Sequence, residues 1–554
     1  MIGSIRPVIP GVNEHPRGAV GLVVPHISLI PARQTHAIIM NATLKMPPLA
    51  AGDSGDAAII ARIAALGSAL EREPSRPDLA VALAEALRGQ GRVAEAAELL
   101  ALALALKPDL AATHLALGNL ARTKGDALSA LDAYERAAAF APDAIEPLGN
   151  RALALKDLGR LDEAIQTLES ALARAPENVE LIYNLGNCRY AAGDLDGAAR
   201  NFHAVLARAP DHGRARINLG LIHRDQGRVD EAVVCFDRVI AHEPGNPTAH
   251  WNRAMALLLG GDFKRGWPEY EWRWRATDMR PRQFSAPLWD GKPLEGRTIL
   301  LHAEQGLGDS IQFVRYVPMV VAQGGRVILE VQPPLMRLLG AMKGPAQVIK
   351  QGDPLPAFDC HIPLMSLPAL FGATLENILA SVPYLAPPGT GKNALAAVFA
   401  GRATAKRIGV VWGGNPGHQA DATRSCRAGD LKPLAVPGVA QLYSLQKGSP
   451  YAEQVVDLPG AIDLGPLLDD MADTAYAISQ LDLVITIDSA VAHLAGALGK
   501  PVWTMIAFVP DWRQMLHRAD SPWYPTMRLY RQTQPGDWVG VVARIRDAIA
   551  SGLL

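Results

Sequence analysis

The chain repeats itself at an interval of 34 residues, and this repeat constrains its fold more than any other feature. Proline, glycine and alanine each recur at that interval. The three series are Pro108, Pro142, Pro176, Pro210 and Pro244; Gly91, Gly125, Gly159, Gly193, Gly227 and Gly261; and Ala96, Ala130, Ala164, Ala198 and Ala232. A unit of this length cannot bury an apolar face by itself, so consecutive units must stack into an array.

Within each unit the predicted order is a helix, a glycine turn, a second helix and then a proline. Glycine allows the backbone conformation of the turn, and proline, which lacks an N–H, begins the next unit at little cost. Leu-Gly pairs and aromatic residues also recur, at Leu117-Gly118, Leu185-Gly186, Leu219-Gly220, Tyr134, Phe202 and Phe236. This pattern resembles the tetratricopeptide repeat over residues 77–277, in about six units. The resemblance implies an all-α solenoid, which we assign to residues 46–277.

An asparagine recurs on the first helix of each unit. The four positions are Asn150, Asn184, Asn218 and Asn252. A side-chain amide offers both a donor and an acceptor, so a ladder of amides suits the backbone of an extended peptide. Protein O-GlcNAc transferases, which this layout resembles, use such a ladder in that way, which implies a protein or peptide acceptor on the concave face. The alternative is that each amide binds the neighbouring repeat.

The end of the array is rich in aromatic residues. Trp267, Tyr270, Trp272 and Trp274 are too apolar for a free helix surface. We expect this helix to cap the array and to dock it on the next domain. Carbohydrate stacking is the alternative.

Composition excludes few functions. The formal net charge of −1 gives no reason to expect nucleic acid as a partner. The four cysteines, Cys188, Cys235, Cys360 and Cys426, form no CxxC pair, which argues against a zinc site and a disulfide framework and favours a cytoplasmic location. We find no apolar run of about 18 residues and expect no membrane span.

Residues 1–45 contain several prolines and show no periodicity, so we expect a disordered leader. An over-extended start, with Met40 or Met46 as the true first residue, is a variant of this interpretation. A weak signal-like segment at residues 19–30 is the alternative, but Pro25 interrupts it.

From residue 297 onward, short apolar strands alternate with helices. The predicted strands are 298–302, 326–331, 347–350, 360–364, 408–412, 441–445, 483–487 and 501–506. This alternation predicts doubly wound parallel sheets. A linker rich in proline and glycine at residues 383–392 divides them, so we expect two Rossmann-like domains, 278–390 and 391–554, facing a cleft.

Two motifs follow predicted strands and begin helices. One contains Gly306, Gly308 and Asp309, and the other runs from Asp488-Ser489-Ala490 to His493. A helix N-terminus presents free N–H groups and a positive dipole end, which suit a pyrophosphate. The alternative is that the acidic and hydroxyl side chains only cap the two helices.

Together these motifs resemble the family 9, heptosyltransferase-like glycosyltransferases, over residues 297–550. Ala490 replaces a glycine of that family. The resemblance implies a GT-B fold and an inverting, metal-independent transfer of a sugar from a nucleotide-diphosphate sugar to an acceptor hydroxyl. It implies no cofactor and makes Asp309 the base that deprotonates the acceptor, with Glu304 as a rival.

The nucleotide-sugar site implied by the resemblance includes residues from both motifs and from two other predicted loops. Its members are Gly306, Gly308, Trp412, Arg424, Gln446, Lys447, Asp488, Ser489, Ala490 and His493. Arg424 and Lys447 are candidates to neutralise the departing diphosphate. The acceptor stays open between a protein, lipopolysaccharide and another glycan. The alternative function is a non-enzymatic repeat scaffold with an inactive second half.

Overall fold

The computed structural model describes residues 54–389, 392–401, 405–418 and 420–553. The predicted leader, residues 1–45, lies outside the described residues. The chain divides into two compact units, and the boundary falls between Ile222 and His223.

The first unit is entirely helical in its described part. Its helices are α1 (Ser54–Arg72), α2 (Pro77–Gly89), α3 (Val93–Leu106), α4 (Ala111–Thr123), α5 (Ala127–Phe140), α6 (Glu146–Asp157), α7 (Leu161–Arg174), α8 (Val179–Ala191), α9 (Leu195–Arg208) and α10 (Gly213–Asp225), which crosses the boundary. The all-α array predicted from the 34-residue interval is therefore confirmed.

The recurring residues explain why the chain folds into helix pairs. Gly91, Gly125, Gly159 and Gly193 all have positive φ, between 73° and 84°, which ends one helix and turns the chain into the next. Several second helices begin at a side-chain cap; the Asp194 carboxylate, for example, accepts the N–H of Gly197. The recurring alanines are fully buried and let the paired helices approach closely.

The second unit begins with helices α11 (Val229–His242), α12 (Pro247–Gly260), α13 (Phe263–Tyr270) and α14 (Arg273–Ala276). Two parallel sheets follow. The parallel sheets predicted from the alternating pattern are confirmed.

The first sheet consists of β1 (Thr298–His302), β2 (Arg326–Val331), β3 (Gln347–Lys350) and β4 (Cys360–Pro363). The strands lie in the order β3-β2-β1-β4. Its helices are α15 (Leu307–Phe313), α16 (Val317–Val321), α17 (Met336–Gly340) and α18 (Leu367–Leu370). In β1 and β2 almost every side chain is buried, because helices cover both faces of a parallel sheet.

The second sheet consists of β5 (Lys406–Val411), β6 (Ala440–Ser444), β7 (Ile462–Asp463), β8 (Leu483–Ile487), β9 (Val502–Ile506) and β10 (Met527–Arg531). The strands lie in the order β10-β9-β8-β5-β6-β7. Its helices are α19 (Asn393–Phe399), α20 (Asp421–Arg424), α21 (Met471–Ser479), α22 (Ala490–Ala497) and α23 (Trp538–Ala550). β5 and β8 pair directly, so the loops after these two strands lie side by side.

The aromatic helix α13 packs into the core of the second unit. Trp267 and Tyr270 are buried, and the Trp267 ring lies 5.2 Å from that of Trp512 and 6.2 Å from that of Phe313. Trp272 is only half-buried and stacks on His250 at 3.9 Å. The aromatic residues of this segment thus pack against α12, against α15 and against the loop after β9.

One glycine of the array tests how closely the helices approach. A methyl group at Gly118 would lie 2.4 Å from Cε1 of Tyr134, whose ring is fully buried. We therefore expect Gly118→Ala to lower the free energy of unfolding by about 1–3 kcal/mol, because the ring cannot move without disturbing its neighbours. Urea unfolding measures the change.

Gly89→Ala is the matched control, since nothing lies within 4 Å of its added methyl group. It should leave stability unchanged or raise it by up to about 1 kcal/mol. Equal effects of the two substitutions would contradict close packing at Gly118.

Candidate functional site

A pocket of about 640 Å³, partly open to solvent, lies at the carboxyl ends of several strands of the second unit. Seven of the predicted site residues line it. They are Gly308, Asp309, Arg424, Asp488, Ser489, Ala490 and His493. Ligands of open α/β sheets bind at this end of the strands. The structure therefore brings together residues that the sequence separates by up to 185 positions.

The first turns of α15 and α22 form one wall of the pocket and touch each other. A methyl group at Gly308 would lie 2.9 Å from Cδ2 of His493 and 3.4 Å from Cα of Ala490. Glycine is thus required at position 308 by the approach of a second helix. His493 is the nearest neighbour, and Ala490, the residue that departs from the family pattern, contacts this position only through its Cα.

Asp309 is almost fully enclosed, and its partners include a backbone N–H and a guanidinium. The Gly306 N–H donates to its Oδ2 at 2.7 Å, and Nη2 of Arg513 donates to its Oδ1 at 2.6 Å. Burial raises the pKa of Asp309, whereas the Arg513 guanidinium and the hydrogen bond from the Gly306 N–H lower it. Asp309 is therefore both a helix cap and an ionised group in the pocket wall.

Asp488 has the opposite electrostatic environment. Burial, together with the negative charge of Asp511, raises the pKa of Asp488 to about 6. Its Oδ1 accepts a hydrogen bond of 3.3 Å from the Gln514 side chain. Two carboxyl groups in one pocket thus differ in their readiness to take a proton, a feature common at functional sites.

Ser489 and His493 are held by neighbours outside α22. The Ser489 hydroxyl lies 2.9 Å from the hydroxyl of Thr486, and it does not cap the helix. Nδ1 of His493 hydrogen-bonds the Tyr524 hydroxyl at 3.0 Å. Burial lowers the pKa of His493 to about 3, so this imidazole is neutral at physiological pH.

Four polar residues of the pocket were missed by sequence reasoning: His418, Thr423, Asp511 and Arg513. Asp511 and Arg513 follow β9, which was recognised as a strand, but no motif marks the loop after it. The only available signal was position, because the loop follows a buried parallel strand.

Four residues of the predicted nucleotide-sugar site do not line the pocket. The Gln446 side chain accepts the N–H groups of Trp412 and Gly413, so it braces the loop after β5. The indole of Trp412 is fully buried in the core of the second sheet. Nζ of Lys447 donates to the carbonyl of Leu468 instead of reaching the pocket. Gly306 lies just before α15 and enters the site only through its bond to Asp309.

Glu304, the rival base, is held by a buried guanidinium. Nε and Nη2 of Arg273 donate to its two carboxylate oxygens at 3.0 and 3.1 Å, and the Arg273 side chain is 0% exposed. Burial raises the pKa of Glu304 to about 7, although Arg273 opposes the shift. This pair ties the aromatic end of the helical segment to the loop after β1.

The predicted asparagine ladder makes contacts within the protein. Nδ2 of Asn218 donates to Oδ1 of Asn187 at 2.7 Å, and Nδ2 of Asn150 donates to Oδ1 of Asn119 at 3.3 Å. Asn252 donates to the Thr248 carbonyl, and Asn184 is buried. Contact with the preceding repeat, the alternative explanation, thus describes two of the four amides.

Among the residues that the structure describes, no group of three or more His, Cys, Asp or Glu side chains is arranged to hold a metal ion. Among the same residues, no helix combines the length and the apolar character needed to cross a membrane.

Comparison with known proteins supports the repeats. Models of the tetratricopeptide repeat match residues 49–111, 155–200 and 189–258. The N-terminal region therefore contains tetratricopeptide repeats. The chain is also similar to Protein FlbA of Caulobacter vibrioides, with 27% identity over 336 residues. This match covers 54% of each protein, so the chain spans about half the length of the curated relative that it matches.

Solved structures resemble the chain over about a third of its length. A tetratricopeptide repeat protein from Parabacteroides merdae is 22% identical, with a TM-score of 0.32, and the match covers 36% of this chain and 80% of that one. A thermophilic repeat protein from Thermus thermophilus is also 22% identical, with a TM-score of 0.31, and the match covers 33% of this chain and all of that one.

The buried Arg273–Glu304 pair generates a stability prediction. Arg273→Met leaves a buried carboxylate without its counter-charge, so we expect a loss of about 3–5 kcal/mol at pH 8. The loss should shrink at pH 6, because there the carboxyl can take up a proton. Urea unfolding at the two pH values measures both effects.

Arg265→Met removes an exposed pair with Asp262 from the neighbouring helix and serves as the control. It should cost about 0–1 kcal/mol at either pH. A pH-independent loss in Arg273→Met would contradict an unpaired carboxylate as its cause.

Proposed function

We propose that the second unit is a GT-B glycosyltransferase that moves a sugar from a nucleotide-diphosphate sugar to an acceptor hydroxyl. The observation that carries the proposal is the pocket itself. Both motifs on which the resemblance to family 9 glycosyltransferases rests contribute side chains to it, at the carboxyl ends of parallel strands.

Two features of the pocket favour an anionic ligand. The N-terminus of α22 presents backbone N–H groups that the Ser489 side chain does not cap. Arg424, on α20, adds a guanidinium to the same pocket. A diphosphate would lie against this positive wall, and the wall would stabilise the charge that develops on the leaving group.

In this proposal Asp309 takes the proton of the acceptor hydroxyl, and inversion follows from direct attack on the anomeric carbon. Its ionised state suits a proton acceptor, and its position in the pocket wall places it near a bound donor. The donor needs no metal in this scheme, because Arg424 and α22 supply the positive charge. The reaction would occur in the cytoplasm, on a protein selected by the repeats.

A panel of ligands tests donor binding. We expect thermal unfolding of the full chain to shift upward with one class of nucleotide-diphosphate sugar, because a ligand that binds only the folded state stabilises it. UDP-, GDP-, ADP- and dTDP-sugars form the panel, with a CMP-sugar as a donor that lacks the diphosphate. Arg424→Met should abolish most of the shift.

Arg427→Met is the matched control, because this exposed arginine lies three residues away and outside the pocket. It should retain the wild-type shift. No shift with any nucleotide, or equal losses in both variants, would sink the proposed donor site.

Donor binding should also depend on pH through Asp488. The diphosphate repels an ionised carboxylate, so binding favours protonated Asp488, and affinity should rise as the pH falls through about 6. Sugar nucleotides suit the measurement because their diphosphate keeps its charge in this range. Isothermal titration between pH 5 and pH 8 measures the dependence.

Asp488→Asn should bind the donor more tightly at pH 8 and lose most of the dependence on pH. The pocket also contains His418. An undiminished dependence in Asp488→Asn would therefore show that another group, not Asp488, carries it.

A protein-interaction scaffold is the second candidate function, because the repeats are shown by family models and Asp309 is only 3% exposed. On this view the pocket binds no donor. The ligand panel separates the two candidates, since a scaffold predicts no thermal shift with any sugar nucleotide.

A further inference from the structure

We propose that Arg513 is a positioning residue, which holds the Asp309 carboxylate ionised and in one orientation for proton abstraction. The inference rests on the proposed glycosyltransferase function for the role of Asp309. The pairing of the two side chains is tested separately below, so that failure of either idea is visible.

The geometry around Arg513 is specific. Its Nη2 donates to Asp309, its Nε donates to Gln312 at 2.8 Å, and its Nη1 donates to Asp511 at 3.0 Å. Asp309 and Gln312 belong to α15 beside the first sheet, whereas Asp511 precedes Arg513 in the loop after β9. The guanidinium therefore joins the two halves of the pocket through a planar set of donors.

The Arg513 guanidinium also packs against an aromatic ring. It lies 4.2 Å from the ring centre of Trp512, a typical cation–π distance. The Trp512 ring packs against those of Trp267, Trp523 and Tyr270 at 5.2, 6.1 and 6.3 Å. A guanidinium held by three acceptors and an aromatic wall has little freedom to turn away from Asp309.

The hydrogen bonds from Gly306 and Arg513 go to different oxygens of the Asp309 carboxylate. The Gly306 N–H donates to Oδ2 and Arg513 donates to Oδ1. These contacts on both oxygens fix the plane of the carboxylate. The residue lines the pocket, where a hydroxyl could approach it.

Other charged and titratable groups also surround Asp309, and Arg424 lines the same pocket. His493 on α22 is neutral at physiological pH, while Asp511 and Asp488 carry negative charge when ionised. Glu304 and the Tyr270 hydroxyl also face this region from the loop after β1 and from α13. Without Arg513, burial and these carboxyls would favour the protonated form of Asp309, which cannot act as a base.

The first test is the pH profile of turnover. The probe is hydrolysis of the sugar nucleotide that gives the largest thermal shift, with water as acceptor and the donor saturating. In the wild type, protonation of Asp309 should not lower kcat until the pH falls below about 5. In Arg513→Met the acid limb should move upward by about 1–3 pH units, because Asp309 loses its counter-charge.

Arg513→Lys should restore part of the wild-type profile, because a charge returns without the planar set of donors. Arg518→Met, which removes an arginine of the same loop paired with Asp520, is the control and should leave the limb in place. A uniformly lower kcat with an unmoved limb would overturn the proposal. A raised KM alone would instead make Arg513 a ligand of the donor.

The second test needs no activity. Urea unfolding compares Arg513→Met, Asp309→Asn and the double variant between about pH 5 and pH 8. In Arg513→Met, the folded-state pKa of Asp309 rises above its unfolded value, so stability should fall as the pH rises through it. The double variant should lose this dependence and recover part of the urea midpoint.

The absence of this pH dependence and recovery would overturn the pairing, whatever ligand the pocket binds. If they appear but no sugar nucleotide binds or turns over, the pairing stands, the glycosyltransferase function fails, and the positioning role fails with it. The two ideas thus fail in different experiments.

Discussion

The contact between α15 and α22 is the constraint on which the pocket depends. Each helix follows a buried strand, and the two belong to different sheets. At Gly308 there is no room for even one methyl group, because His493 and Ala490 already occupy the space. This contact brings Asp309 of one motif and Asp488 of the other into one pocket.

The helices that begin the second unit support this pocket from a distance. Trp267 and Tyr270 of α13 surround Trp512, and Trp512 in turn lies beneath the Arg513 guanidinium. The buried pair between Arg273 and Glu304 adds a second connection, to the loop between β1 and α15. The last repeat-like helices are therefore part of the core that shapes the pocket.

The features that were predictable from sequence are those set by local periodicity. The positive φ at Gly91 and its equivalents follows from the 34-residue interval, and the parallel strands follow from short apolar runs. Asp488 was found because it stands directly after such a strand, and Asp309 was found because it belongs to the glycine-rich motif that follows another strand. Lys447 also follows a strand, yet its amine turns to the Leu468 carbonyl, which the sequence could not indicate.

Arg513 could not be found in that way, because its importance comes from a partner more than 200 positions earlier in the chain. Desolvating this guanidinium and the carboxylate of Asp309 costs several kcal/mol for each ion, and well-packed apolar residues could fill the same space at lower cost. The charges are therefore a poor means of stabilising the fold. Asp511 adds a further carboxylate, which accepts a hydrogen bond from Arg513 and raises the pKa of Asp488. Buried charge is thus concentrated at the carboxyl ends of the strands, where the proposed donor would bind.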